Sequence, residues 1–157
     1  MRNKEKKSFF KDCIKRGFPL SENQQVELIE LQDKALLTAY RKEHIFLPAA
    51  QIRLIDLGNK RLFKAFIRDS LLSDATEVYL IKTAKLYKAQ KSLFKAYIKE
   101  HCFCADAQMQ LIEADDRWLF KVYVRQYSLS LQAEHRLMAL KNHELIKIYR
   151  RKHPFRI

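Results

Sequence analysis

The chain reads as an all-α protein, a right-handed superhelical stack of about five helix pairs of 26 residues each. Three observations predict it. Only two glycines and three prolines occur among 157 residues, a shortage of turn formers that argues against a sheet-rich fold with many tight hairpins. The pattern Leu-Phe-Lys-Ala-Tyr recurs in one register along the chain, and self-similarity at a fixed period is the mark of a repeat architecture. Three ladders then share the same spacing. Tyr40, Phe66, Tyr97, Tyr123 and Tyr149 are separated by 26, 31, 26 and 26 residues, and Leu28, Leu54, Leu80, Leu111 and Leu137 keep the same steps. So do Leu20, Phe46, Leu72, Phe103, Leu129 and Phe155, which extend the series to a sixth position.

The first half of each unit is helix A. Ser21, Ser73 and Ser130 stand just before a helical pattern, where a hydroxyl accepts a hydrogen bond from an unpaired backbone N–H. In the second copy Pro48 takes the first-turn position, where its missing N–H costs nothing. Ala133, Leu137 and Leu140, together with Ile52 and Ile55 of an equivalent copy, make helix A apolar on two sides, as in a helix packed between neighbours.

Helix B follows at a slot holding Asp33, Asn59, Gln90, Asp116 and Asn142, four of which are strong N-cap types. Gly58 before Asn59 suits a helix end followed at once by the next start. Leu62, Phe63, Phe66 and Ile67 have the i, i+1, i+4, i+5 spacing of one apolar face, repeated in the other copies. Both helices span only about three turns, too short to be stable alone in water, so stacking must hold them.

These features predict a single domain over 1–157. It comprises a flexible basic segment at 1–8, a half repeat at 9–19 that caps the array, and repeats starting near 20, 46, 72, 103 and 129. The third copy carries five extra residues between Ile81 and Gln90. They contain neither Gly nor Pro, so the simplest expectation lengthens helix A by about 7.5 Å. Over roughly residues 9 to 155 the unit resembles the helix pairs of HEAT-like and related α-solenoid proteins. The 26-residue period is shorter than theirs, so the resemblance implies an architecture and carries no activity.

The formal charge is +13, from 31 Lys and Arg against 18 Asp and Glu, and favours an acidic partner. The helix-A segments are acidic overall, and helix B carries the excess in register. Lys11, Lys64, Lys95, Lys121 and Lys147 share one slot, broken only by Thr38. Lys15, Lys42, Arg68, Lys99, Arg125 and Arg151 share the slot four residues later. Residues i and i+4 lie on one helix face, here opposite the aromatic face, so stacking would align them into a cationic stripe. The plainer reading is a solvated face whose cations suit the negative end of the helix dipole.

Other candidates have structural explanations. His101, Cys102 and Cys104 include zinc-ligand types, yet His101 shares a slot with His44 and His153 at the end of helix B, and Cys104 stands where other copies have the N-cap serine. Asp115 and Asp116 form a carboxylate pair in which Asp116 is already an N-cap. Gln25, Gln51, Glu77, Gln108 and Glu134 form a ladder beside apolar positions, expected to hydrogen-bond a neighbouring helix end or a helix-B tyrosine because a partly buried polar group needs a partner. Trp118 is unique and outside the repeat pattern, so a surface position is expected.

Two glycines cannot build a phosphate loop, and no nucleophile–base arrangement stands out. The expectation is a non-enzymatic binding protein without cofactor, metal or small-molecule substrate, whose stripe engages a DNA or RNA backbone. The alternative is a scaffold for an acidic or amphipathic protein segment. Three cysteines, two of them only two residues apart, make no disulfide framework. With no apolar run long enough to span a bilayer, they point to a cytoplasmic setting.

Overall fold

The computed structural model describes residues 2–156, which contain eleven helices and no strand. The A helices are α2 (Glu22–Glu30), α4 (Pro48–Leu57), α6 (Asp74–Leu86), α8 (Ala105–Glu113) and α10 (Leu131–Ala139). The B helices are α1 (Asn3–Lys15), α3 (Lys34–Arg41), α5 (Lys60–Ile67), α7 (Lys88–Glu100), α9 (Arg117–Val124) and α11 (His143–Arg150).

By its internal packing the chain forms two compact units, Met1–Leu72 and Ser73–Ile157. The division falls at the start of the one lengthened helix pair. In the first unit α2 packs on α4, and α3 packs on both α1 and α5. In the second, α8 packs on α6 and α10, while α9 packs on α7 and α11. Like helices therefore neighbour like helices within each unit. The members of the three ladders from Leu20 to Tyr149 are all buried, and Phe155 at the end of the series is half-buried.

Capping follows the residue types. Ser21, Ser73 and Ser130 accept from the N–H groups of Gln24, Thr76 and Ala133, and the Cys104 sulfur accepts from Ala107 at 3.4 Å in the same role. Asp33, Asn59, Asp116 and Asn142 cap their B helices through Leu36, Leu62, Leu119 and Leu145. The residue before each of these caps is left-handed: Gln32 (φ 53°), Gly58 (φ 64°), Asp115 (φ 51°) and Lys141 (φ 52°). Two of these turns are tied across modules, Asn59 Nδ2 donating to Gln32 and Asn142 Nδ2 to Asp115.

The polar ladder on the A helices is buried, and each of its side chains is hydrogen-bonded. Gln25 Nε2 donates to the Tyr40 hydroxyl at 3.2 Å and to the carbonyls of Leu20 and Ile45, while its Oε1 accepts from Leu47 N–H at 2.7 Å. Gln108 repeats the arrangement with the Phe103 carbonyl and Ser130 N–H. Glu77 accepts from the Tyr97 hydroxyl and from Cys104 N–H. In return Tyr40, Tyr123 and Tyr149 accept from the N–H groups of Leu20, Phe103 and Leu129. Gln25, Glu77 and Gln108 thus each join one A helix to the chain entering the next.

Glu134 makes the last clasp differently. It accepts from Tyr149 at 2.7 Å and from both the backbone and the guanidinium of Arg156, which occupies the slot of the earlier N-caps. Burial alone would raise the Glu134 pKa, but these donors outweigh it and hold the carboxyl below its ordinary value of 4.5.

Two boundaries depart from the sequence pattern. The segment 1–8, expected to be flexible, is helical from Asn3, with Lys6 and Lys7 ion-paired to Glu27 and Asp33. The inserted residues lengthen both helices of their pair rather than helix A alone. α6 runs on to Leu86, α7 begins at Lys88, and extended Tyr87 is the whole connection. Gln90 consequently lies inside α7 instead of capping it, and Lys91 Nζ caps the end of α6 through the carbonyls of Ala84 and Lys85.

Tyr123→Phe leaves the buried Phe103 N–H without its acceptor, so stability falls by about 1–3 kcal/mol. This reads as a lower urea midpoint at unchanged m, and an unmoved midpoint would remove the clasp from the stability account. A carboxylate with a depressed folded pKa stabilises above its unfolded pKa and loses that contribution as pH falls through the folded value. Glu134→Gln should therefore flatten the loss of stability below about pH 4.5 relative to the parent. Parallel pH profiles would contradict it.

Candidate functional site

All eleven cations of the helix-B slots are exposed. In the first unit Lys11 and Lys15 lie on α1, Lys42 is the C-cap of α3, and Lys64 and Arg68 sit on α5 and its C-cap. The second unit has Lys95 and Lys99 on α7, Lys121 and Arg125 on α9 and its C-cap, and Lys147 and Arg151 on α11 and its C-cap. Each unit thus presents its own set on three B helices that pack side by side. None of the eleven joins any of the ion pairs found among the described residues, which use Lys6, Lys7 and six arginines.

A further row went unrecognised in the sequence, although it follows the same register. Lys34, Lys60 and Arg117 are the first helical residues of α3, α5 and α9, with His143 in that place on α11 and Lys88 opening the longer α7. Neither α3, α5, α7 nor α9 has an acidic residue in its first turn, whereas α2, α6, α8 and α10 do. Cations near a helix C-terminus suit the macrodipole, but the same charge at an N-terminus opposes it by about 0.3–1 kcal/mol. Dipole matching explains Arg68 and Arg125 and fails for Lys60 and Arg117. The basic character extends along the whole exposed face, against local helix energetics at one end.

Between α9 and α11 this face forms a shallow groove of about 430 Å³ lined by Arg117, Trp118, Lys121, Glu144, Lys147, Ile148 and Arg151. Trp118 is 43% exposed, its ring 6.4 Å from that of buried Phe94. Arg117 pairs with Glu144 at 3.2 Å on the rim.

The remaining candidates serve the fold. His101 packs its ring on Tyr97, as His44 does on Tyr40 and His153 on Tyr149. The His153 ring also hydrogen-bonds the Val124 carbonyl at 2.7 Å. Ligand-type atoms of Asp74, Glu77 and Cys104 lie within 4.8 Å of one another, but both Glu77 oxygens already accept hydrogen bonds, and the thiol is an N-cap. Burial first, then Glu77 and Asp74, push that thiol up to about 12. Asp116 is a cap and Asp115 a turn residue, so the pair is divided between two structural roles.

No helix among the described residues is long and apolar enough to cross a membrane. Comparison with family models, curated proteins and solved structures finds no match to this chain.

The thiol environments predict an order of alkylation for the folded protein near about pH 8, since the thiolate is the reacting form. Exposed Cys102 reacts first and Cys104 last. Mass-spectrometric mapping in which Cys104 reacts as fast as Cys102 would contradict its assignment as a shielded cap.

Proposed function

We propose that this chain is a non-enzymatic binding protein whose helix-B face engages a nucleic-acid backbone, DNA or RNA, without reading base sequence. The observation that carries the reading is the set of eleven exposed cations, none ion-paired among the described residues while eight ion pairs form elsewhere. Like charges on helices packed about 8–10 Å apart repel one another, and phosphates relieve that repulsion. Lysine and arginine contacts to phosphate fix position and register but carry no sequence information. In this reading the helix pairs stack as a right-handed α-solenoid, and the protein works in the cytoplasm.

A protein-interaction scaffold remains the second reading because of one apolar feature. Met138 and Leu140 on α10 are 37% and 42% exposed, whereas Ile112 and Ala114, their counterparts on α8, are 1% and 4% exposed. Pull-down from nuclease-treated lysate separates the readings: a stoichiometric protein retained without nucleic acid supports the scaffold.

For the leading reading, affinity falls linearly in log–log against salt, by about 0.9 per duplex phosphate neutralised or about 0.7 per single-strand phosphate. Replacing Lys121 and Lys147 together with Gln lowers the slope by about 1.4–1.8 at an unchanged melting temperature. Absence of binding at low salt, or an affinity indifferent to salt, would exclude the proposal.

A further inference from the structure

We infer that the groove between α9 and α11 binds single-stranded nucleic acid, the Trp118 indole stacking on an unpaired base while Lys121, Lys147 and Arg151 take the flanking phosphates. This rests on the helix-B reading and names the class of nucleic acid that it prefers.

Packing does not ask for tryptophan at this position. The same slot holds Ala35, Arg61, Ser92 and Glu144 in the other copies, none of them buried. The helix pair closes equally well around a methyl group, a hydroxymethyl group or a charged side chain. The indole nevertheless has a backing, since one side of the ring lies against buried Phe94 while 43% of the residue stays open. A large aromatic surface backed on one side and open on the other is what a stacking platform needs, because the backing lowers the ordering cost of binding.

The charges around the indole match a backbone. Lys121 lies one turn along α9, and Lys147 and Arg151 face it from α11 across the groove. The one carboxylate present, Glu144, is neutralised by Arg117 at 3.2 Å, leaving three cations for phosphate. A volume of about 430 Å³ falls within the range of small-ligand sites. Duplex bases are paired and stacked on each other, so they offer no free ring face. An unpaired base does, whatever its identity, and recognition of this kind tolerates sequence.

Trp118 is the only tryptophan in the chain, so its fluorescence reports the groove alone. The full-length protein is titrated at low salt with a single-stranded oligonucleotide, once as DNA and once as RNA. Parallel titrations use a duplex of equal length and inorganic polyphosphate. The expected result is saturable quenching by the single strand and none by polyphosphate or duplex, the stronger of the DNA and RNA quenches identifying the preferred sugar. Anisotropy should show Trp118→Ala weakening single-strand affinity by about ten-fold or more, with polyphosphate affinity unchanged, while Trp118→Phe retains most of it. Equal melting temperatures establish that both variants fold. Single-strand binding without quenching, equal quenching by duplex, or unchanged affinity in Trp118→Ala would overturn the inference while leaving the helix-B proposal intact. Failure of every polyanion to bind would overturn both.

Discussion

Each helix pair leaves backbone groups exposed at the turn into the next, and these lie at a buried seam where water cannot serve them. An unpaired buried N–H or carbonyl costs about 1–3 kcal/mol, so a chain of short helices survives only if every seam is closed. The A-helix carboxamide or carboxylate does this. Gln25, Gln108 and Glu134 reach from one module to the chain entering the next, and tyrosines on the B helices take the N–H groups left over. Helices of eight or nine residues do not persist alone. Seam chemistry together with ladder burial makes them cooperative.

That constraint occupies the inner faces completely and leaves the outer face of helix B unconstrained. Along it cations stand at the start of α3, α5, α7 and α9, in the middle slot of five B helices and in the end slot of all six. The end positions agree with the helix dipole and the first-turn positions oppose it, so the pattern does not follow from helix stability. Solubility alone needs charges of either sign. Four of the five A helices carry an acid in the first turn, and four of the six B helices carry none, so the two helix types differ in charge placement as well as in composition.

Much of this was legible because a repeat multiplies weak signals. The three ladders and the polar A-helix slot could be read at least five times each, the Asp/Asn caps four times and the serine caps three, and their burial and partners follow the reading. Single events were not legible in that way. The third pair lengthens on both sides of Tyr87 because a stretch without glycine lets helix persist until Lys91 can cap it, a choice that spacing cannot reveal. Gln90 was misplaced for the same reason. The helix at 3–15 was obscured by a run of charges, two of which turn out to be paired. The Trp118 groove needs two helices from different modules, so position in the sequence showed only that the residue was unusual. The first-turn lysines were in plain register, but their meaning depends on where each helix starts.

Backbone amide NMR of the full chain during titration with a single-stranded oligonucleotide tests most directly whether the outer face of helix B is the binding surface. The account predicts shifts concentrated on the exposed sides of α7, α9 and α11 and of α1, α3 and α5, with the A helices quiet. Shifts confined to the A helices, or none at all at saturating oligonucleotide, would contradict it.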